Sequence, residues 1–514
     1  MSHIYKQAEL TPERPAIVMS ETDLTMSFRE LETRSNQAAH ALRALGVGHA
    51  GHIAILMENR PEFFEVMFAA QRAGIYLTAI SRYLGVDEVG YILRDCGAQV
   101  FITSPSHAAI AAGACAGLGP DVACFTLDEA VDGFREWEPF RAGFATTRLA
   151  DEAKGNPMLY SSGTTGRPKG VKRDFVEEPI EGGHPVMELV CLKMAGMNQE
   201  SVYLSPAPLY HAAPLAASAT ALMYGTTMVI MQKFTPESFL AAAEKYQATH
   251  TQMVPTMFLR MLKLPEEVRR RYDLSNLQCA IHAAAPCPAE VKKQMIDWWG
   301  PILLEYYAGS EGDGVTICKS DEALAYPGTV GKSLIGPIHI VGEDGEELPA
   351  GEIGDVFFDS GLAFSYHNDP EKTAKAHHPK GWSTLGDVGY LNEDGYLFLT
   401  DRRAYTIISG GVNVYPQETE DRLLMHPAVL DAAVFGAPDE DLGEAVKAVV
   451  QLITPDAAGP ALANELIGWC RATLSGIKCP KSVDFRTEMP RTDTGKLIKR
   501  RLKDEYWAAD QAAG

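Results

Sequence analysis

The chain has 514 residues, 46% hydrophobic and 22% charged, which predicts a globular protein of two or more domains and leaves no room for large disordered tracts. Asp and Glu total 67 against 46 Lys and Arg, a net charge of -21 that argues against nonspecific binding to nucleic acid or an anionic membrane. An anionic ligand must then meet a local cationic site. The 9 cysteines stand singly with no CxxC pair, the usage of a reduced, cytoplasmic protein. The polar start Met1-Ser2-His3-Ile4-Tyr5-Lys6-Gln7 carries no apparent secretory or transit signal.

Along the first hundred residues the pattern predicts a strand at 52–57, an amphipathic helix at 61–73, a strand at 75–80, a helix at 86–95 and a strand at 99–103. Such alternation is the mark of parallel sheet covered by helices. No charge falls between Glu200 and Lys233, but Pro206, Pro208, Pro214 and Gly225 interrupt the stretch. It reads as a loop, a buried helix at 215–224 and a buried strand at 226–231, with no integral membrane span. The α/β rhythm resumes with a helix at 236–246, a strand at 249–254, a helix from 256 and a strand at 279–282. After Gly351 the texture turns to short strands, 354–358 and 389–399, with Asp394-Gly395 as a hairpin signal. The chain then starts afresh, with a helix at 417–425 and a strand at 429–435. A boundary at 400/401 divides a large domain, 1–400, from a small one, 401–514, with a hinge at about 401–405.

The run Tyr160-Ser161-Ser162-Gly163-Thr164-Thr165-Gly166-Arg167-Pro168-Lys169-Gly170-Val171 concentrates hydroxyls, glycines and a lysine in one loop. Glycines let backbone amides approach a phosphate, hydroxyls donate to it, and Lys169 brings charge. Pro168 stands where the P-loop of kinases and GTPases requires glycine, and no hydroxyl residue follows Lys169, so the loop is of another kind.

Further along lie Pro208-Leu209-Tyr210-His211, Tyr307-Ala308-Gly309-Ser310-Glu311, Gly386-Asp387-Val388-Gly389, Asp401-Arg402, Ser409-Gly410-Gly411-Val412-Asn413-Val414-Tyr415-Pro416 and Pro490-Arg491-Thr492-Asp493-Thr494-Gly495-Lys496. With the loop, and in this order, these motifs resemble the acyl-adenylate-forming superfamily of acyl-CoA synthetases, adenylation domains and beetle luciferases, over nearly the whole chain. The resemblance implies an α/β fold: a large N-terminal domain of repeated parallel sheets with a β-barrel-like subdomain, and a small, mobile α+β C-terminal domain. It implies an AMP-forming carboxylic acid:CoA ligase using ATP, Mg²⁺ and coenzyme A. In that reaction a carboxylate attacks the α-phosphate, pyrophosphate leaves, and CoA displaces AMP.

By the same resemblance Ser161, Ser162, Gly163, Thr164, Thr165, Gly166 and Lys169 hold the β- and γ-phosphates. Tyr307 stacks on adenine opposite Ala284, Ala285 and Pro286, while Asp387 and Arg402 bind the ribose. Ser310 and Glu311 belong to the catalytic centre, with Glu311 as Mg²⁺ ligand, and Lys496 bridges the carboxylate and the α-phosphate. Gly410 and Gly411 admit the pantetheine arm after the small domain rotates. Two departures stand out. Ala404-Tyr405 replaces the usual charged hinge, and Lys172-Arg173-Asp174-Phe175, followed by Val176-Glu177-Glu178-Pro179, replaces the usual ending of the phosphate loop; its expected place is the rim of the acid-entry mouth.

The Tyr210-His211 pair stands where amino-acid-activating relatives keep an aspartate, which excludes an amino acid. The expected acyl lining is His211, Met223, Gly225, Met253, Pro255, Tyr306, Ala308 and Gly309; its apolar members, with small Ala308 and Gly309, suit a medium- or long-chain fatty, alicyclic, steroid-side-chain or aryl acid. Loading an acyl group onto a carrier protein is the alternative reading, and a homodimer is left open.

Overall fold

The computed structural model describes residues 2–119, 122–161, 168–361, 364–439, 441–491 and 497–513. Helices and strands alternate through its first half as the periodicity predicts. Strands Tyr76–Ala79, His52–Leu56, Val100–Thr103, Ala123–Thr126 and Arg135–Glu136 are neighbours in that order and all run parallel. His52–Leu56 is buried at every residue but its first, so its near-continuous apolar run reflects a strand covered on both faces. Helix Pro61–Arg72 covers one face; its last residue, Arg72, is 0% exposed and bonds Glu32 at 2.6 Å.

A second sheet of 13 strands runs through the centre of the molecule. Its parallel half comprises Pro15–Met19, Thr227–Ile230, Val202–Ser205, His250–Met253, Cys279–His282 and Leu303–Ala308. Beyond Leu303–Ala308 the pairing becomes antiparallel, through Val315–Lys319 and Thr329–Ser333 to Leu397–Arg402, Asp387–Leu391, Gly354–Phe358 and Ile338–Val341. This wing is the expected β-rich subdomain and has its own small core of Val330, Ile338, Ile340, Val356, Phe358 and Leu397. Among the described residues no helix is long and apolar enough to cross a membrane.

Two boundaries differ from the pattern. Helix Ala212–Met223 begins three residues earlier than predicted, because Pro214 falls in the first turn, where a missing N–H loses no bond. Strand Val429–Asp439 runs past Phe435 through Gly436-Ala437-Pro438, weak strand formers that are held by a long hairpin pairing with Gly443–Leu452. That hairpin anchors the C-terminal sheet, which packs with helices Gln417–Leu424 and Pro460–Arg471 around a separate core including Ile407, Leu423, Val434, Val450 and Leu466.

Residues 153–158 carry the chain out of the first sheet towards the phosphate loop. They run along strand Tyr76–Ala79, with bridges Ala73↔Ala153 and Leu77↔Pro157 and a 2.6 Å bond from Gly155 N to Gln71 O. The chain then forms the antiparallel hairpin Leu159–Ser161 with Lys169–Lys172, extended by Ser365–Tyr366. A methyl group on Gly155 would lie 2.3 Å from Ile75 O and 2.4 Å from Ala70 O, both backbone atoms unable to swing aside. Gly155→Ala is therefore expected to cost about 1–3 kcal/mol, read as a lower denaturation midpoint, whereas Gly48→Ala, with nothing within 4 Å of the added carbon, leaves it unchanged.

Candidate active site

A cavity of ≈ 1770 Å³ is lined by residues of the large domain's helices, the antiparallel wing and the small domain. At its nucleotide end, Tyr307 sits on strand Leu303–Ala308, where the sheet changes direction. Its hydroxyl donates to Asp387 Oδ2 at 2.6 Å, and Arg402 Nε donates to Oδ1 of the same carboxylate at 3.1 Å. Asp387 is only 6% exposed, so these two donors replace the water it has lost. Burial, then the charge of Asp387, pushes the Tyr307 hydroxyl well above its ordinary pKa and keeps it a donor. Burial opposes the charge on Arg402, but Asp387 together with Tyr307, Tyr405 and Glu311 outweighs it and the guanidinium's pKa is raised. Facing this cluster, the chain leaves strand Cys279–His282 into Ala283-Ala284-Ala285-Pro286. Ala284 adopts φ 76°, a strained conformation for alanine that bends the backbone along the cavity wall.

The phosphate end is built on Glu311, whose Oε1 accepts from Tyr366 Oη at 2.8 Å. Gly309 makes room for it: an added carbon there would lie 2.7 Å from Glu311 Oε2 and 2.4 Å from Leu385 Cδ2. Nearby, burial and then the charge of Glu311 push the Asp313 carboxyl up to about 7. No group of three or more His, Cys, Asp or Glu side chains able to hold a metal occurs among the described residues. A hard cation at Glu311 fits only as one shared with phosphate oxygens, the usual coordination of Mg²⁺.

Lys169 Nζ lies 2.7 Å from Asp369 Oδ2, and Asp369 caps helix Pro370–Lys375 by accepting from Lys372 N. Lys372 Nζ sits 3.7 Å from the ring centre of Tyr366, its pKa lowered by burial and then by Lys169. Asp369 and Lys372 were legible only as a helix start, Asp-Pro at the cap and first turn; Tyr366 had no local signal at all. Ser162, Gly163, Thr164, Thr165, Gly166 and Lys496 lie outside the described residues. Ser161 is described in its backbone, which pairs with Lys169.

Ser310, His211, Met223, Met253, Pro255, Tyr306, Ala308 and Gly309 all border the cavity. His211 stands at the N-terminus of helix Ala212–Met223 with its ring 4.3 Å from that of Tyr210. The hydroxyl of Tyr306 accepts from Gln252 Nε2 at 2.7 Å. Gly225 does not belong with them. It closes the helix with φ 84°, and an added carbon would meet Gln7 Oε1 at 2.7 Å, behind the wall, so the expected acyl contact is corrected to a turn.

From the small domain, Arg491, Leu497, Ile498 and Lys499 border the cavity, whereas Gly410 and Gly411 do not. The two glycines form a tight turn with φ 57° and 81°, and Gly410 N donates to Leu442 O at 2.9 Å. Lys499 Nζ lies 2.9 Å from Glu420 and 3.7 Å from Asp401, and Tyr405 also borders the cavity. Burial pushes the Glu420 carboxyl up to about 7, with Lys499 opposing the shift.

Residues 4–365 match the family model of the AMP-binding enzymes, and residues 418–496 that of the AMP-binding enzyme C-terminal domain. A feruloyl-CoA synthase of Amycolatopsis sp is 32% identical over 98% of both chains. A long-chain-fatty-acid–CoA ligase of Mycobacterium tuberculosis is 29% identical over 98% of this chain and 97% of its own. The solved o-succinylbenzoate CoA synthetase of Bacillus subtilis, in complex with its acyl-adenylate intermediate, matches with a TM-score of 0.81 and 26% identity over 98% of both chains. Motif order, fold and these likenesses converge: the chain belongs to the AMP-binding enzyme family and is an AMP-forming acid:CoA ligase that works through an acyl-adenylate with ATP, Mg²⁺ and coenzyme A.

Proposed function

We propose that the acid activated by this ligase has an extended apolar body, of the fatty, alicyclic, steroid-side-chain or aryl type. The observation that carries this reading is the cavity wall beyond Ala308 and Gly309, where helix Ala212–Met223 brings Ala213, Leu215, Ala216 and Ala219 opposite Met67 and Ala70 of helix Pro61–Arg72. Small and flexible apolar side chains there leave length and width for an acyl group. Relatives named for feruloyl, o-succinylbenzoyl and long-chain fatty acids are in keeping with such a channel. Their names are those of CoA ligases, which favours free CoA over a carrier protein as acceptor.

In this reading adenine packs between Tyr307 and Ala284-Ala285-Pro286, and the ribose hydroxyls donate to Asp387, held in place by Arg402. Glu311 would hold Mg²⁺, which would supply charge neutralisation at the phosphates. Lys169 exchanges Asp369 for phosphate oxygens in the loop. The acid's carboxylate oxygen forms a bond to the α-phosphorus as the bond to the departing pyrophosphate breaks. Lys496 lies on the segment between Arg491 and Leu497, both at the cavity, and steadies the charge that develops in this step. The CoA thiol then gives up its proton, its sulfur bonds to the acyl carbonyl carbon, and AMP leaves. Gly410 and Gly411, away from the cavity in this arrangement, reach it when the small domain turns about a hinge at about 401–405, which divides 1–400 from 401–514. The separate core of the small domain supports that division.

A panel of acids scored for pyrophosphate release with and without CoA tests the assignment. Apolar acids are expected to give thioester only with ATP, Mg²⁺ and CoA all present, and AMP release indifferent to CoA would count against it. Lys496→Ala should lower acid-dependent pyrophosphate release by about 10²- to 10³-fold while thioester formation from supplied acyl-adenylate persists; equal loss of both steps refutes its role. For Asp387→Asn, KM for ATP should rise about 10- to 100-fold, the scale of a charge-assisted hydrogen bond, in steady-state kinetics at saturating acid.

A further inference from the structure

The segment after the phosphate loop places a cation in the same cavity with no carboxylate to balance it. Arg173 follows strand Lys169–Lys172, and its carbonyl accepts from Tyr76 Oη at 2.6 Å, which fixes the backbone there. Its guanidinium packs over Gly312, where an added carbon would lie 2.3 Å from Nη2. The same nitrogen lies 3.4 Å from His184 Nε2. Among the described residues Arg173 makes no ion pair, and burial alone lowers its pKa. No neighbouring acid offsets that shift.

His184 completes the donor set. Its ring, kept neutral by burial and then by the charges of Arg173 and Lys154, has its pKa lowered to about 4. A neutral imidazole that accepts from Arg173 at Nε2 carries its proton on Nδ1, and Nδ1 is buried without a partner. Lys154 Nζ lies 3.3 Å from Gly183 O, next in the chain, and the two cations Arg173 and Lys154 border the cavity with His184. The nearby carboxylate, Glu188, is occupied by Gly183 N at 2.6 Å and Tyr224 Oη at 3.0 Å. A half-buried guanidinium with unused N–H groups, beside an imidazole N–H that has no partner among the described residues, presents donors only, with net positive charge. The complementary ligand is an anionic oxygen.

Resting on the ligase reading above, we infer that Arg173, with His184, is a specificity-determining site for a second carboxylate on the acid, remote from the one that is adenylated. The rest of the acid stays apolar, as the wall requires. Phosphate is the competing source of anionic oxygen. Arg173 lies four residues past Lys169, roughly 13 Å along the strand, and Gly312 adjoins Glu311, so the test separates the two.

The binding of an α,ω-dicarboxylate series, each with the methyl-terminated monocarboxylate of equal length, is measured by calorimetry on the full chain with Mg²⁺ and a non-hydrolysable ATP analogue. At the best-fitting length the dicarboxylate is expected to bind about 10- to 100-fold tighter, the fold-change of a buried charge-assisted pair. In Arg173→Met that ratio collapses towards one, and Arg173→Lys, which keeps the charge, recovers part of it. Equal binding of both acids by the unmodified protein at every length overturns the inference, as does an Arg173→Met variant that loosens the ATP analogue while keeping the acid ratio. Pyrophosphate release with the monocarboxylates alone would uphold the ligase reading while this assignment fails, so the two are told apart.

Discussion

The carboxylate of Asp387 ties Tyr307 of the large sheet to Arg402, the residue paired with Asp387 on the neighbouring strand of the wing. Tyr307 reaches it from the strand where the large sheet turns from parallel to antiparallel, and Arg402 from the end of strand Leu397–Arg402, while Asp387 itself lies on the adjacent strand of the antiparallel wing. A carboxylate 6% exposed is tolerable only if donors replace its water, so these two bonds add a polar constraint to strand pairing that already sets Asp387 beside Arg402. In the proposed reading the same two oxygens accept from the ribose hydroxyls, so one constraint would serve both the fold and the nucleotide.

Charge is distributed around that point in a way the overall balance conceals. The chain is strongly acidic, yet Lys169, Lys372, Arg173, Lys154 and Lys499 all border or flank one cavity. Where a cation has a partner, as Lys169 has Asp369 and Lys499 has Glu420, the pair holds an element in place, a helix cap in one case and the small domain's last helix in the other. Arg173 lacks such a partner among the described residues, and that difference gives it a different use. The apolar floor of the cavity raises the worth of each of these charges by excluding water.

The two faces of the small domain divide the chemistry. Arg491, Leu497, Ile498 and Lys499 border the cavity, and the glycine turn at Gly410-Gly411 does not. Contacts between the large and the small domain among the described residues include Arg402 with Asp387, Arg403 with Asp355, the Lys263 ammonium on the Val429 carbonyl, and Met425 against the large domain's core. An interface of that kind is one a rotation can exchange for another without unfolding either domain.

Repetition of strand and helix and the wing's turn-rich texture were legible in the residues alone, because periodicity reports which face is buried, while the reaction was legible through the resemblance that the ordered motifs carry. Tyr307, Asp387, Arg402 and Glu311 could each be named from their motifs. What no local pattern contains is adjacency across the chain: that Tyr366 bonds Glu311, that Asp369 holds Lys169, that Gly225 turns behind the wall, and that Arg173 lies beside His184 without an ion pair among the described residues. Those facts follow from burial and from distances between residues far apart in sequence, where the loss of water sets the worth of every charge, and they come into being only when the sheets, the wing and the small domain close around one cavity.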